Sequence, residues 1–310
     1  MQVILGAGGA IGRELAKSLP NYTQPIRLVS RNPQRVNSTD ELFSADLTQA
    51  DQVLKAIKGA EVVYLTIGLP YNAKIWESTW PVVIKNTLDA CKIEGAKLVF
   101  FDNVYMYDPE TLGNIKEDNP ISPSSKKGKV RAKIAEMITN AHKKGEVKTL
   151  IARAADFYGP GIENVSVMTE SVFKPLSEGK KAQLIGDVSK KHSFTFTPDA
   201  GKATALLGNT TDAYGEVWHL PTAANPYSMK EYVEIIAERL QVAPKMQSAN
   251  KFLTRSIGLF VPVMKELSEM YYQYDRDYIF NSEKFENRFE FKPTPYLDGI
   301  DVVIQSDYNG

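Results

Sequence analysis

The chain has 310 residues, which at roughly 150 residues per domain corresponds to two domains or to one large α/β domain. Apolar residues make up 43% and charged residues 24%, as is typical of a soluble globular protein. Lysine plus arginine and aspartate plus glutamate each number 37, so the formal net charge is zero. This balance argues against a nucleic-acid partner, because such proteins usually carry a basic excess. Cys91 is the only cysteine, which excludes a disulfide framework and a zinc site built from several cysteines.

The sequence predicts a cytoplasmic protein without a membrane partner. A structured glycine motif has already begun at Gly6, which leaves no room for a signal peptide. No uncharged stretch approaches the roughly 20 apolar residues that a membrane-spanning helix needs.

Short apolar runs alternate with longer amphipathic segments along the first half of the chain. The apolar runs, predicted as strands, are Val3–Leu5, Ile26–Val29, Val62–Leu65, Leu98–Phe101 and Thr149–Ala152. The amphipathic segments, predicted as helices, are Gly12–Ser18, Thr48–Ile57, Ile75–Glu94 and Lys129–His142. Strands that are apolar on both faces and alternate with helices form a parallel sheet covered on each side. The pattern therefore predicts a Rossmann-like, doubly wound α/β fold.

After residue 160 the elements become shorter. Val165–Glu178 is predicted as a helix, and Phe194–Phe196 and Val217–Leu220 as strands. Ser228, followed three residues later by Glu231, predicts a capping box for a helix over Met229–Leu240. These elements predict a smaller C-terminal α/β domain.

The glycine-rich segment Gly6–Gly12 follows the first strand and opens the first helix. Gly6, Gly9 and Gly12 permit a tight turn, close approach of a pyrophosphate and close helix–strand packing. A pyrophosphate at the helix N-terminus meets free N–H groups and the positive end of the helix dipole. The segment therefore predicts a dinucleotide site that also includes Ala10 and Ile11.

The end of the second strand favours NADP over NAD, which remains the alternative. An NAD site usually carries an acid about 20 residues beyond the glycines, on the ribose hydroxyl. Here Ser30 and Arg31 stand at that place, and no acid occurs before Asp40. Arg31, together with Arg35, has the planar donor geometry that suits a 2′-phosphate.

The motifs together make the sequence resemble the short-chain dehydrogenase/reductase superfamily, and more narrowly its extended, NAD-dependent epimerase/dehydratase branch. The segments that carry the resemblance are Gly6–Gly12, Asp46–Leu47, Val99–Tyr107, Arg153–Gly161, Phe194–Asp199 and Pro293–Gly299. The resemblance implies an NAD(P)-binding Rossmann domain over residues 1–160. It implies a mostly substrate-binding domain over residues 161–310, from which some strands and helices return to the first.

The resemblance also assigns roles to residues outside the glycine loop. It implies that Asp46 and Leu47 lie by the adenine, and that Thr66 and Gly68 line the cofactor after the fourth strand. It further allows a homodimer and implies a small carbonyl or sugar-like substrate.

The sequence departs from the family at its catalytic residues. The family uses a Ser or Thr after strand five and Tyr-x-x-x-Lys on the next helix. Asn103 falls at the Ser or Thr place, Lys133 at the Lys place and Lys129 at the Tyr place, and no tyrosine occurs between Tyr107 and Tyr158.

Three interpretations of this departure stay open. In the first, Lys133 binds the ribose while Lys129 or Tyr105 supplies the proton, since a lysine with a neighbouring cation can act as an acid or base. In the second, Asn103 polarises a carbonyl and hydride transfer needs only a weak acid. In the third, the protein is a non-catalytic NADP(H)-binding sensor or regulator. We favour an enzyme over a sensor.

Four residues are candidates for contact with the substrate: Tyr71, Tyr107, Phe157 and His192. No histidine or cysteine spacing indicates a metal site. The aromatic-rich segment from Phe252 to Tyr278 is compatible with a lid, an oligomer face or a membrane-surface segment. Because its acidic and basic residues are evenly balanced, we predict that it is a helical part of the substrate domain.

Overall fold

A computed structural model describes residues 1–162 and 165–308. The strands of this part of the chain are β1 (Gln2–Leu5), β2 (Ile26–Ser30), β3 (Glu41–Ser44), β4 (Val62–Leu65), β5 (Lys97–Asp102), β6 (Thr149–Arg153), β7 (Asp156–Tyr158), β8 (Ala182–Ile185), β9 (Phe194–Phe196), β10 (Val217–His219) and β11 (Met246–Ala249). The α-helices are α1 (Ala10–Ser18), α2 (Ala50–Ile57), α3 (Ala73–Glu94), α4 (Lys126–Lys143), α5 (Lys174–Ser177), α6 (Thr197–Gly208), α7 (Met229–Arg239), α8 (Lys251–Ile257), α9 (Pro262–Glu269), α10 (Glu283–Phe289) and α11 (Tyr296–Asp307).

The chain forms two compact units that interleave along the sequence. The first unit comprises Met1–Met106, Lys127–Ala154 and Pro198–Leu220. The second comprises Tyr107–Lys126 and the described residues of Ala155–Thr197 and of the chain from Pro221 onward. The sequence predicted one main boundary, after residue 160. In the structure, Tyr107–Lys126 belongs to the second unit and Pro198–Leu220 returns to the first.

The first unit is built on a seven-stranded sheet with the order β10-β6-β5-β4-β1-β2-β3. Every neighbouring pair in this sheet is parallel. β1 lies between β2 and β4, so the strand order reverses there, and such a reversal is where doubly wound folds bind ligands. The sheet confirms the predicted Rossmann-like α/β fold.

Apolar runs in the sequence predict the central strands correctly. The sequence did not predict β3, because β3 has no such run. Val3, Ile4 and Leu5 are fully buried, as a strand covered on both faces requires. β4 and β9 have the predicted bounds. β3 was not predicted because it is an edge strand with mostly exposed residues and only Leu42 and Phe43 to mark it.

Helix α3 has clear start and stop signals. The Asn72 side chain accepts hydrogen bonds from two backbone N–H groups of the first turn, and the helix ends at Gly95 in a left-handed conformation. Trp76 and Trp80 of this helix are buried in the hydrophobic core. Cys91 is buried on the same helix, and burial raises the pKa of its thiol to about 12.

The second unit contains two parallel strand pairs, β7 with β9 and β8 with β11. The helix predicted over Val165–Glu178 is confirmed in part, as a π-helical segment, Thr169–Phe173, that continues into α5. The capping box of α7 is confirmed, since Ser228 and Glu231 exchange both of its hydrogen bonds. The helical interpretation of the Phe252–Tyr278 segment is also confirmed, by α8 and α9.

Within residues 1–162 and 165–308, no helix combines the length and the apolar character needed to cross a membrane.

Candidate functional site

The glycine loop joins β1 to α1 through a backbone that only glycine accommodates. Gly6 has a φ of +98°, and a Cβ at this position would lie 2.5 Å from the backbone N of Ile67. The Gly6 N–H donates to the carbonyl of Val29 at 2.9 Å. This glycine therefore lets the ends of β1, β2 and β4 approach one another closely.

The two later glycines of the predicted motif shape the start of α1. A Cβ at Gly12 would lie 2.6 Å from the carbonyl oxygen of Gly6, so only glycine lets the helix pack this close to the loop. Gly9 is the N-cap residue, and within the described residues no side chain caps α1. Ala10 and Ile11 form the first turn, whose N–H groups have no acceptor inside the helix. The loop therefore fits an anionic group such as a pyrophosphate.

The end of β2 lies beside this loop. A Cβ at Gly8 would stand 4.0 Å from the hydroxyl oxygen of Ser30, the last residue of β2. Arg31 follows it and is exposed. The Arg35 guanidinium donates to the carbonyls of Ser38 and Asp40, each at 2.8 Å, so one of its nitrogens already holds the loop.

Asp46 and Leu47 follow β3. Two hydrogen bonds from Thr48, one from its backbone N–H at 2.9 Å and one from its hydroxyl at 2.8 Å, lower the pKa of the Asp46 carboxyl. The charge of Arg31 lowers it further. Leu47 is buried, and its carbonyl accepts from the Asn86 side chain at 3.0 Å.

Thr66 and Gly68 follow β4, as the resemblance implies. The Thr66 hydroxyl lies 3.3 Å from the carbonyl oxygen of Leu5 and 3.4 Å from that of Gly6. Gly68 is exposed, and a Cβ there would meet nothing within 4 Å. Open space therefore adjoins the end of β4 next to the glycine loop.

Helix α4 carries the predicted catalytic lysines. It begins at Lys126, three residues earlier than predicted, and both Lys129 and Lys133 are exposed. The buried cations of its first turns are instead Lys127 and Arg131, which are also four residues apart. Lys127 and Arg131 therefore share the four-residue spacing of the family's Tyr and Lys and lie on the buried face of α4, whereas Lys129 and Lys133 lie on its exposed face.

A buried ion-pair network, missed by the sequence analysis, anchors Arg131. The Arg131 Nε donates to Asp102 Oδ1 at 2.7 Å, and its Nη2 forms a second bond to the same oxygen. Arg153 Nε donates to the other carboxylate oxygen at 3.3 Å. The guanidinium also lies 4.5 Å from the ring centre of Trp80 and 5.0 Å from that of Phe100. Hydrogen bonds to Asp102 therefore hold the edge of the Arg131 guanidinium, while aromatic rings pack against its face.

An aromatic cluster joins Lys127 to the residues after β4 and β5. The Lys127 Nζ lies 4.5 Å from the ring centre of Tyr71, a cation–π distance. Tyr71 meets Trp76 edge-on at 5.8 Å, and Trp76 stacks on Tyr105 at 6.2 Å. The side chain of Asn103 accepts from the Tyr105 N–H at 3.2 Å. Three of the predicted site residues, Tyr71, Asn103 and Tyr105, thus belong to one cluster with Lys127.

In the second unit, His192 is buried between aromatic rings. Its ring stacks on those of Tyr278 at 4.3 Å and Tyr274 at 5.4 Å. His192 Nε2 lies 3.0 Å from Asp156 Oδ2. The imidazole is therefore held on both faces and at one edge.

The two other predicted substrate residues also lie in the second unit. Tyr107 is buried, and its hydroxyl points to the carbonyl of Glu117 at 3.4 Å. Phe157 is half-buried on β7, and its carbonyl accepts from the Ser166 hydroxyl at 2.8 Å. In the part of the chain that the structure describes, no group of three or more His, Cys, Asp or Glu side chains is arranged to hold a metal ion.

Comparison with known proteins assigns the family. The model of the NAD dependent epimerase/dehydratase family matches residues 2–220, which is more than half of the chain. The chain belongs to this family. Membership confirms the resemblance inferred from the glycine loop and the Arg153–Gly161 segment.

Relatives within curated proteins are distant. A 3beta-hydroxysteroid-dehydrogenase/decarboxylase isoform 1 of Arabidopsis thaliana is 24% identical, over 98% of this chain and 79% of the relative. Isoform 2 from the same plant is 24% identical over 69% of this chain and 42% of its own length.

Solved structures show the same epimerase/dehydratase fold. A UDP-glucose 4-epimerase of Thermus thermophilus in complex with NAD aligns with a TM-score of 0.79 and 17% identity, covering 99% of this chain and 98% of the other. A dTDP-glucose 4,6-dehydratase of Bacillus anthracis in complex with NAD aligns with a TM-score of 0.79 and 17% identity, covering 98% and 96%. At this identity the likeness concerns the fold.

Proposed function

We propose that this family member is an NAD(P)-dependent oxidoreductase, or an epimerase/dehydratase-like enzyme, that acts on a small carbonyl or sugar-like substrate. The observation that carries the proposal is the glycine loop, in which a Cβ at Gly6 or Gly12 would clash with the neighbouring backbone and so prevent the close turn that presents the first N–H groups of α1. Two structural neighbours are complexes with NAD, and the curated relatives are dehydrogenase/decarboxylases. When bound, a nicotinamide cofactor supplies or accepts a hydride.

The chain's own residues supply binding and orientation. The N–H groups of the first turn of α1 hold the pyrophosphate, and Gly68 leaves space beside Thr66 for the remainder of the cofactor. Arg31 pairs with a 2′-phosphate, which favours NADP, whereas the NAD complexes among the structural neighbours favour NAD. Either cofactor meets the same glycine loop.

We assign the role of the missing tyrosine to Lys127. Its ammonium group has three N–H donors and no acceptor, so it donates a hydrogen bond, or a proton, to a substrate oxygen on which negative charge develops. The cation–π contact with Tyr71 holds the side chain against the loop that follows β4. Arg131, fixed by Asp102, holds a permanent positive charge one helical turn away.

The alternative is a non-catalytic NADP(H)-binding sensor or regulator. It is favoured by one observation, the absence of a tyrosine from the whole of α4. A sensor binds the oxidised and reduced cofactors with different affinities, and Lys127 is then needed for packing alone.

Calorimetric titration of the full chain with NADPH, NADP⁺, NADH and NAD⁺ tests the binding proposal. We expect binding of at least one oxidised and reduced pair. Absence of heat with all four cofactors would show that the family fold is kept here without its cofactor.

The same titration tests the role of Arg31. Because a hydrogen bond to a charged group contributes about 1.5–3 kcal/mol, we expect Arg31→Ala to weaken NADP⁺ binding by roughly tenfold or more and to leave NAD⁺ binding unchanged. Arg288→Ala, at an arginine on α10 in the second unit, is the matched control. Equal affinity of the Arg31→Ala variant and the parent chain for NADP⁺ would remove the phosphate role.

A second experiment tests Lys127. With an aldehyde and ketone panel and the cofactor that binds, we expect Lys127→Met to lose turnover by roughly 10²-fold or more, the usual contribution of a general acid, while cofactor affinity survives. Lys129→Met, at an exposed lysine of the same helix, is the control and keeps its turnover. If Lys129→Met is the variant that loses turnover, the original alignment is correct. If the parent chain binds cofactor but reduces no member of the panel, the sensor function gains support.

A further inference from the structure

The α8–α9 hairpin, defined here as residues 251–265, presents large apolar side chains to solvent. Phe252 is 80% exposed, Leu259 81% and Phe260 87%. Leu253, Val261 and Val263 beside them are exposed as well. Scattered exposed apolar residues are normal on a protein surface, but a continuous group of this size marks an interaction surface.

The hairpin backbone is well organised, so this exposure belongs to a defined structure. The Asn250 side chain caps α8 by accepting from the Leu253 N–H at 2.9 Å. Thr254 is fully buried, and its hydroxyl donates to the Asn250 carbonyl at 2.9 Å. A Cβ at Gly258 would lie 2.9 Å from the backbone N of Lys265, so the two helices meet closely at this glycine.

The exposed charged residues of α8 and α9 are all basic, whereas the acidic residues of α9, Glu266 and Glu269, are half-buried. Lys251, Arg255 and Lys265 are exposed, and no acidic residue occurs from Lys251 to Lys265. Of the acidic residues that follow, Glu266 is half-buried, and the Glu269 carboxylate accepts from the Lys126 backbone N–H. Asp275 is paired with Arg276 at 2.8 Å.

We propose that the α8–α9 hairpin binds the surface of an anionic phospholipid bilayer. Phe252, Leu259 and Phe260 enter the boundary between headgroups and acyl chains, while the cations face lipid phosphates. Each Lys or Arg near such a surface adds attraction, and long basic side chains can keep their charge in water while their stems lie on apolar material.

Charge complementarity favours this partner over a second copy of the chain. A two-fold interface between copies brings the same patch together with itself. It would therefore place the three exposed cations of one copy near three of the other, with only the half-buried Glu266 and Glu269 of each α9 as acidic residues. Lipid phosphates supply the missing negative charge. The inference replaces the expectation of no membrane partner, and it does not depend on the proposed catalytic function.

Vesicle flotation of the full chain tests the proposal. The probes are phosphatidylcholine vesicles with and without about one third phosphatidylserine, near the composition at which anionic lipid attracts basic segments strongly. We expect the chain to float with the anionic vesicles, and less so at high salt because salt screens the attraction. Phe260→Ser and Phe252→Ser should each lower the partition coefficient by roughly tenfold or more, as expected for a large apolar side chain withdrawn from its site.

Matched controls separate hairpin docking from a general effect. Ile93→Ser changes an apolar residue that is 67% exposed on α3, away from the hairpin in sequence and in the other unit. Replacing exposed Lys148, Lys181 and Lys292 together by Gln removes the same charge as replacing Lys251, Arg255 and Lys265. We expect both controls to float like the parent chain, and all variants to keep its circular dichroism spectrum and its cofactor affinity.

Three outcomes would overturn the proposal. The parent chain does not float with either vesicle, the controls lose as much binding as the hairpin variants, or the chain forms a dimer that Phe260→Ser dissociates without any lipid binding. The last result would assign the hairpin to self-association. Loss of cofactor binding with flotation intact would instead contradict the proposed function and leave the membrane proposal standing.

Discussion

Asp102 is the residue on which the buried charges of the first unit depend. Its side chain is fully buried and binds Arg131 through one carboxylate oxygen and Arg153 through the other. Breaking a buried pair by removing one partner is costly because an uncompensated charge stays in a medium of low polarity. The carboxylate therefore determines whether two arginines can remain inside the fold.

Neutralising this carboxylate should destabilise the protein strongly. We expect Asp102→Asn to lower the free energy of unfolding by about 3–5 kcal/mol, measured by urea denaturation. Asp51→Asn breaks the exposed pair with Lys55 on α2 and should cost less than about 1 kcal/mol. Equal losses in the two variants would mean that the buried network contributes no more than a surface ion pair.

The N-terminus of helix α7 is stabilised by the capping box of Ser228 and Glu231. The Ser228 hydroxyl accepts from the Glu231 N–H at 3.3 Å, and the Glu231 carboxylate accepts from the Ser228 N–H at 2.7 Å. The hydrogen bonds from Ser228 lower the pKa of Glu231. Because the lowered pKa belongs to the folded state, this stabilisation is present above the unfolded pKa and is lost as the pH falls through the folded one.

Removing the cap should have a moderate effect that depends on pH. Ser228→Ala should cost about 1 kcal/mol near neutral pH, the usual contribution of an N-cap, and less at a pH where Glu231 is protonated. Thermal unfolding at several pH values measures both. Ser78→Ala, at an exposed serine within α3, is the control. A loss that is the same at every pH would show that the hydrogen bond from the Ser228 hydroxyl to the Glu231 carboxylate contributes nothing.

Helix α4 also shows how much of the candidate site the sequence pattern contains. Lys127 lies seven residues before Ile134, and Arg131 seven before Ile138, so both share the apolar stripe of the helix. That periodicity was available in the sequence. Alignment to Tyr-x-x-x-Lys instead selected Lys129 and Lys133, which fall on the opposite, exposed face. The partnership of Arg131 with Asp102 depends on tertiary packing, which spacing along the chain does not reveal.

At the scale of the whole molecule, the first unit is assembled from distant parts of the chain. β10 pairs with β6 in parallel, with Val217 opposite Ile151 and His219 opposite Arg153. α6 precedes it, and a Cβ at Gly201 would lie 2.6 Å from the backbone of Glu14. The central strands were predictable from their apolar runs, whereas this return of the chain rests on short, weakly patterned segments.

A fragment ending at the predicted boundary should therefore fail to fold. Residues 1–160 lack α6 and β10, which leaves one edge of the sheet unpaired and buried surface of α1 uncovered. We expect the fragment to show no cooperative urea transition, whereas the full chain, the control, shows one. A fragment with a sharp transition and native-like circular dichroism would mean that the first 160 residues are an autonomous domain.

The burial of Cys91 has a practical consequence for chemistry at the surface. A thiol reacts as its thiolate, and with a pKa of about 12 almost none of Cys91 is ionised at neutral pH. The native chain should accordingly be inert to maleimides while it is folded. A cysteine introduced by Phe260→Cys becomes the single reactive thiol, so one environment-sensitive fluorophore attached there reports the polarity around the tip of the hairpin.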